Sequence, residues 1–274
     1  MWPLKRAPIG ECLRIGRHAV QRWQAVDGTL SLLSEHALPQ DAAPNSQRLA
    51  EALGALYPTS SGKPITVLLE SAWLPVTLVD TGPILLRATQ VEALARHRFG
   101  LHYADSNDPV AAWDLRIEHR AGSRHALAYG LPPSVKQTLV DAARTLGLEW
   151  AAMTPAMAWE LERLRPSRTW PRSDGWLLWP EQDRTLVARI ESNELCGLNP
   201  GAQRADDEPD LLRLVDAECV RLGVVSIAAQ IVAAIWGPVP RTARGGRVTW
   251  FDVRGQAAPG AAPSRSTATA KTPA

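Results

Sequence analysis

Residues 12–39, CLRIGRHAVQRWQAVDGTLSLLSEHALP, decide how the rest of the chain is interpreted. Three apolar runs in this segment are broken at Gly16 and at Asp27-Gly28, and Asp-Gly is a dipeptide typical of tight hairpin turns. The segment therefore predicts three consecutive short strands joined by turns.

Residues 174–201, DGWLLWPEQDRTLVARIESNELCGLNPG, repeat this arrangement later in the chain. Turn-forming residues lie at 181–183 and at Ser192-Asn193, so this block also predicts three strands. Two such blocks, separated by predicted helices, indicate two similar lobes. The basic, proline-containing residues 165–172, RPSRTWPR, form the predicted connector between them.

The sequence between and after the two blocks alternates helical and strand patterns. One helix is predicted to begin at Ser134 with a capping box to Gln137, and to end at Gly147. The other predicted helices and strands are 46–57 (helix), 64–71 and 73–79 (strands), 87–99 (helix), 110–120 and 124–130 (a hairpin), 148–153 (strand), 154–164 and 209–222 (helices) and 247–253 (strand).

The composition predicts a globular protein of a reducing compartment and does not favour a nucleic-acid-binding or membrane-spanning one. With 274 residues and 45% hydrophobic content, the chain can bury a large core, and its net charge of +2 does not favour nucleic-acid binding. Three cysteines without a CxxC spacing fit a reducing compartment. The longest apolar run, residues 224–236, is too short to span a bilayer, and no secretory signal is recognised at the N-terminus. A cytoplasmic protein is expected.

No motif predicts catalysis or metal binding. Gly62-Lys63 lacks the other residues of a phosphate-binding loop, because Tyr57 stands where a glycine is needed and Pro64 where Ser or Thr is needed. A metal site built from His97, His102 and Asp105 would lack further ligands. The acidic residues 206–208 precede a predicted helix, where they favour its positive end. The sequence therefore predicts no catalytic residue and no metal ligand.

The order of elements resembles the actin-like (ribonuclease H-like) ATPase fold. Within that fold it is similar to the PilM family of type IV pilus assembly and to the cytoplasmic domain of the type II secretion L protein. The two strand blocks carry the resemblance, together with residues 93–164, in which Gly147-Leu148 ends a helix where the family pattern expects it. The resemblance covers about residues 10–205.

The resemblance implies an α/β bilobed fold with a shortened second lobe. The first actin-like subdomain would span 10–84, an inserted subdomain and the return to the first lobe 85–165, and the second lobe 172–255. Little chain follows the second block, so the lobe that binds adenosine in the ATPases would be incomplete. Residues 256–274, rich in Ala, Pro, Ser and Thr, are predicted to be a disordered tail.

The resemblance also implies that nucleotide chemistry has been lost. ATP-binding members carry an Asp-x-Gly type turn in each block, and here Arg14-Ile15-Gly16 and Trp179-Pro180-Glu181 replace the two turns. Only Gly16 remains of a degenerate phosphate turn. A pseudo-ATPase without cofactor is therefore expected.

The expected role is that of a scaffold at the cytoplasmic face of the inner membrane. By resemblance it would bind a cytoplasmic segment of an inner-membrane protein of the PilN type and contact the assembly ATPase, reaching the membrane only through such partners. The groove is assigned to Leu74, Val76, Leu78, Arg87, Val110, Trp113 and Leu115. The alternatives are a nucleotide-binding actin-like ATPase with an atypical site and a soluble interaction protein outside this machinery.

Overall fold

The computed structural model describes residues 10–26, 29–39, 46–58, 62, 64–82, 86–103, 106, 108–119, 123–224, 229–236 and 246–254. Within these residues the chain forms thirteen strands and five α-helices, arranged as three sheets. The predicted turns at 27–28 and 121–122, Lys63, Asp105 and the tail 256–274 lie outside the described residues.

The first lobe is built on a five-stranded sheet in the order β3-β2-β1-β4-β8. The first three strands are antiparallel neighbours, as the opening block predicts, whereas β4 and β8 run parallel to β1. The strands are β1 (Glu11–Ile15), β2 (Ala19–Val26), β3 (Thr29–Ala37), β4 (Pro64–Leu69) and β8 (Glu149–Pro155).

The second lobe repeats that topology strand for strand, in the order β11-β10-β9-β12-β13. The strands are β9 (Gly175–Pro180), β10 (Arg184–Glu191), β11 (Glu194–Gln203), β12 (Gln230–Ile235) and β13 (Val248–Asp252). Its sheet is thus complete. The shortening lies in its helices, because the only helix described there is α5 (Glu208–Leu222), against three in the first lobe.

A separate three-stranded sheet, in the order β5-β7-β6, forms the inserted subdomain between β4 and the next helix of the first lobe. It contains β5 (Val76–Asp80), β6 (Asp114–His119) and β7 (His125–Leu131), and the helix α2 (Ala88–His102) packs on one of its faces. A short 3-10 helix, Val110–Ala112, precedes β6.

The strand predicted at 73–79 as part of the first lobe belongs instead to the inserted sheet. Trp73 and Leu74 donate their N–H groups back to the carbonyl of Glu70, at 2.9 and 3.0 Å, so the chain turns as soon as β4 ends. The following strand, β5, then pairs antiparallel with β7. The inserted sheet therefore begins before the predicted boundary at residue 84.

The remaining first-lobe helices are α1 (Ser46–Leu56), α3 (Pro133–Leu146) and α4 (Ala156–Leu164). The predicted capping box of α3 is wrong: the N-cap is Pro132, two residues before the predicted cap, because Pro132-Pro133 preset the first turn, and Ser134 hydrogen-bonds Asp108. Its predicted end is confirmed, since Gly147 takes the left-handed conformation at φ 62°.

One hydrophobic core runs through both lobes. Leu13 and Leu68 of the first sheet share a cluster with Trp179, Ala188 and Val232 of the second, all of them buried. The two lobes consequently pack on each other through a shared set of buried apolar side chains. No helix among the described residues is both long enough and apolar enough to span a bilayer.

Candidate functional site between the two lobes

The turn between β1 and β2 presents backbone N–H groups toward the second lobe. Ile15 ends β1 and Ala19 begins β2, and the turn is closed by a hydrogen bond from the N–H of Gly16 to the carbonyl of Ala19, at 3.0 Å. The indole Nε1 of Trp73 donates a hydrogen bond to the carbonyl of Gly16 at 2.8 Å, which further fixes the turn. Such a turn with converging N–H groups suits an anionic or carbonyl oxygen.

The side chain of Gln182 occupies this turn. Its Oε1 accepts hydrogen bonds from the backbone N–H groups of His18 and Ala19, at 2.6 and 2.7 Å, and its Nε2 donates to the carbonyl of Ala19 at 3.2 Å. A Cβ added at Gly16 would lie 2.2 Å from the Gln182 amide carbon. Gly16 is therefore required for the close approach of this glutamine.

The turn between β9 and β10 supplies Gln182 and a second contact through Glu181. This buried carboxylate accepts from the backbone N–H of Ser71 at 2.9 Å and from the Ser71 hydroxyl. The N–H of Gln182 in turn donates to Glu70 Oε2 at 3.2 Å. The end of β4 and the turn of the second lobe are thus bonded to each other in both directions.

Buried acids outnumber buried cations here. Arg14 forms a 2.6 Å ion pair with Glu70, and its guanidinium lies 4.9 Å from the ring centre of Trp236. Burial and the neighbouring Glu70 raise the pKa of Glu181 to about 8. Burial raises the pKa of Glu160, which accepts from the indole of Trp236, to about 7. One arginine faces three buried carboxyl groups, and this excess of buried acid favours the neutral form of Glu181.

Three tryptophans continue the interface on the other side of Arg14. Trp236, which follows β12, packs against Trp23 of β2 at 5.4 Å between ring centres and against Trp159 of α4 at 5.1 Å. Trp236 comes from the second lobe and its two neighbours from the first. The cluster buries aromatic surface between the lobes, which adds apolar stabilisation to the polar contacts.

Both turns are predictable from the sequence, but the side chains that connect them are not. Arg14 and Trp179, which stand at the positions of the expected acids, are an ion-paired buried cation and a core residue respectively. The residues it missed are Glu70, Ser71, Glu160, Gln182 and Trp236. One signal in the sequence points to these residues: two polar residues, Glu70 and Ser71, come directly after the buried strand β4. Polar residues at the end of this strand face the neighbouring lobe.

The other residues considered for chemistry lie apart from this site. His97 and His102 are exposed on α2. Asp207 is the N-cap of α5 and accepts from the N–H of Asp210 at 2.9 Å, as the dipole argument predicts for this acidic run. Among the described residues, no cluster of three His, Cys, Asp or Glu side chains could hold a metal ion.

The predicted partner-binding residues do not form one surface. Leu74, Val76 and Trp113 are buried, Leu78, Val110 and Leu115 are half-buried, and Arg87 is exposed. Leu78 pairs with Leu127 across the inserted sheet, whereas Leu115 pairs with Gly130 and packs toward α2. Successive residues of a strand point to opposite faces, so these side chains are divided between the two faces of the sheet.

A cavity of about 250 Å³ lies on the Leu78 face of the inserted sheet. Leu78, Leu127 and Leu195 give it apolar walls, and Glu118 and Arg165 give it charge. Asn193 and Leu195 belong to the β10–β11 hairpin, so the cavity lies between the inserted sheet and the second lobe. Burial raises the pKa of Glu118, and Arg116 opposes that rise.

The two repeated sheets, the inserted sheet and the facing turns define a bilobed α/β protein of the actin-like class. The sequence matches no protein-family model and no curated protein, but solved structures share the fold. An actin-like ATPase-fold protein of unknown function from Bacteroides thetaiotaomicron has a TM-score of 0.54 and 11% identity, covering 88% of this chain and 90% of that one.

Two structures of assembly proteins are similar as well. The PilM-PilN type IV pilus biogenesis complex has a TM-score of 0.53 and 11% identity, covering 89% of this chain and 88% of the other. The cytoplasmic domain of EpsL, an inner-membrane component of the type II secretion system of Vibrio cholerae, has a TM-score of 0.48 and 13% identity, with coverage of 88% and 85%. The two matches with TM-scores above 0.5 confirm the predicted actin-like fold.

Proposed function

We propose that this protein is a non-catalytic scaffold of a type IV pilus or type II secretion-like assembly, and that it binds a cytoplasmic segment of an inner-membrane partner of the PilN kind. It works in the cytoplasm, at the inner-membrane face, and contacts the assembly ATPase of the same machine. One observation supports a non-catalytic role. The side chain of Gln182 lies in the first turn, where its carbonyl oxygen accepts hydrogen bonds from two backbone N–H groups.

The charges at the same place also support a pseudo-ATPase. Arg14 and Trp179 replace the two acids that the fold's ATPases use, and the space between the turns is filled by Gln182 and Glu181. The remaining carboxylates, Glu70 and Glu181, are both used for contacts between the lobes. A bound nucleotide with its metal would have to displace each of these contacts.

The partner segment binds at the cavity beside Leu78, in an extended conformation that places an apolar side chain between Leu78 and Leu195. Support for the partner comes from the fold shared with the PilM-PilN complex. Support for the place comes from its lining, since a pocket in which three leucines lie among polar and charged side chains can take an apolar side chain and the main-chain groups of a short peptide.

Binding of a labelled peptide tests this proposal. The probe is a fluorescently labelled peptide with the sequence of the cytoplasmic segment of a PilN-type inner-membrane protein, and its binding is measured by fluorescence anisotropy. Leu78→Asp is expected to weaken binding by about tenfold or more, whereas Leu94→Asp, on the exposed surface of α2, leaves it unchanged. Equal binding by wild type and Leu78→Asp would remove the cavity from the proposal, and no binding by wild type would remove the partner.

A second candidate is an actin-like ATPase with an atypical nucleotide site. The buried carboxylates Glu70, Glu160 and Glu181 beside the first turn favour it, since they are acids close to where the fold binds phosphate. Calorimetry with ATP and magnesium, up to millimolar nucleotide, decides between the two. One-to-one binding would establish the nucleotide-binding alternative, and the scaffold proposal expects no binding heat.

A further inference from the structure

We infer that Gln182 is an interlobe latch: its side chain acts as an internal ligand that holds the two lobes closed without any bound molecule. The inference concerns the resting state of the protein and does not depend on which partner it serves. In this arrangement the lobes separate only when the Gln182 amide leaves the turn formed by residues 16–19.

The contacts of Gln182 satisfy every requirement of such a latch. Its side chain makes three hydrogen bonds to the backbone of His18 and Ala19, at 2.6 to 3.2 Å, and its own N–H donates to Glu70. The backbone carbonyl of Gln182 accepts a hydrogen bond from Arg204 Nη1 at 2.6 Å, which fixes the turn within the second lobe. Gln182 is therefore held from one lobe and bonded to the other.

The turn residues next to Gln182 reinforce the closed state. Glu181 bonds both the backbone and the hydroxyl of Ser71, and Arg17 lies 3.8 Å from Asp183 across the same gap. A Cβ at Gly16 would collide with the Gln182 amide, so the first lobe is shaped to receive this side chain.

A contact far from the turn reports separately on lobe closure. The N–H of Leu30, at the start of β3, donates to the carbonyl of Arg254 at 3.0 Å, after the end of β13. This hydrogen bond joins the lobes but involves neither turn. Exchange of the Leu30 amide with solvent therefore measures separation of the lobes, whereas exchange of the His18 and Ala19 amides measures loss of Gln182 alone.

The experiment is amide-resolved hydrogen exchange on the full chain with Gln182→Ala, and with Gln21→Ala as the matched control. Gln21 also carries a side-chain hydrogen bond on β2, but its partner, Glu35, belongs to the same lobe. Loss of three hydrogen bonds is expected to speed exchange of the His18 and Ala19 amides by about tenfold or more. For a latch, the amides of Ser71 and Leu30 exchange faster as well.

The latch is contradicted if faster amide exchange in Gln182→Ala is limited to the turn that Gln182 contacts. If His18 and Ala19 lose protection while Ser71 and Leu30 keep theirs, Gln182 is only a local hydrogen-bond partner. Gln182→Asn supplies the same test where the alanine variant does not fold, since it retains the amide but is one methylene too short to reach both N–H groups. Faster exchange at Leu30 in Gln21→Ala would equally contradict the inference.

Discussion

Replacing Glu181 by glutamine should remove a pH dependence from the stability of this protein. Glu181 is buried, and its pKa is raised from 4.5 to about 8 by burial first and by the neighbouring Glu70 second, while bonds from Ser71 and the charge of Arg14 oppose the rise. The folded protein thus holds a proton that the unfolded chain releases near its ordinary pKa. A glutamine side chain has nearly the same shape and is neutral at every pH.

The sign and size of the effect follow from proton linkage. Between pH 4.5 and about 8 the folded state binds more protons at Glu181 than the unfolded state, so stability falls as the pH rises through this window. Each pKa unit corresponds to about 1.4 kcal/mol. From about pH 6 to about pH 8 the wild-type protein should lose about 2 kcal/mol of unfolding free energy through this one group.

Urea unfolding of wild type and Glu181→Gln at several pH values measures this loss. We expect the stability of the variant, relative to wild type, to rise by that amount across the window, because Glu160 titrates in both proteins and cancels from the comparison. Glu51→Gln, at an exposed position on α1, is the matched control. A difference between wild type and Glu181→Gln that does not change with pH would refute a raised pKa for Glu181 in the folded protein.

Three further substitutions test the packing around the latch. Gly16→Ala should destabilise the protein by about 1–3 kcal/mol in thermal unfolding, since its Cβ meets the Gln182 amide. In a Gln182→Ala background the same substitution should cost little further stability, and simple additivity of the two losses would contradict the contact. Arg14→Met should lower the unfolding free energy by about 3–5 kcal/mol in urea unfolding, because Glu70 then lacks its ion pair. The double variant Arg14→Met with Glu70→Gln should lose less stability than Arg14→Met alone, because no buried charge is left unpaired. Trp236→Phe loses an indole hydrogen bond to a buried carboxyl, and a drop of about 1–3 kcal/mol by calorimetry is expected.

The overall architecture could be predicted because it depends on local patterns. Turn residues between apolar runs place the hairpins of both blocks, and the paired strands β1 to β3 and β9 to β11 follow directly from them. Helix ends marked by Gly147 are equally local. Such signals lie within a few residues of the structure that they determine, so one sequence is enough to recognise them.

Two strands were assigned wrongly or missed because their identity depends on distant partners. Residues 231–235 show no alternation of apolar and polar side chains, because β12 is buried between two parallel strands. Their sequence alone resembles a short apolar run and does not indicate a strand. The strand β5 looks like a continuation of the first lobe until its pairing with β7 is known. Neither pairing leaves a trace in the neighbouring residues.

The latch itself was beyond sequence reasoning for the same reason, since Gln182 and Ala19 are 163 positions apart. Its geometry nevertheless explains an observation that the sequence raised. Gly16 stands in the first turn although neither turn carries the acid of an Asp-x-Gly type turn. Here Gly16 leaves room for the Gln182 amide, so the first lobe still presents its N–H groups to an oxygen. That oxygen now belongs to the second lobe of the same chain.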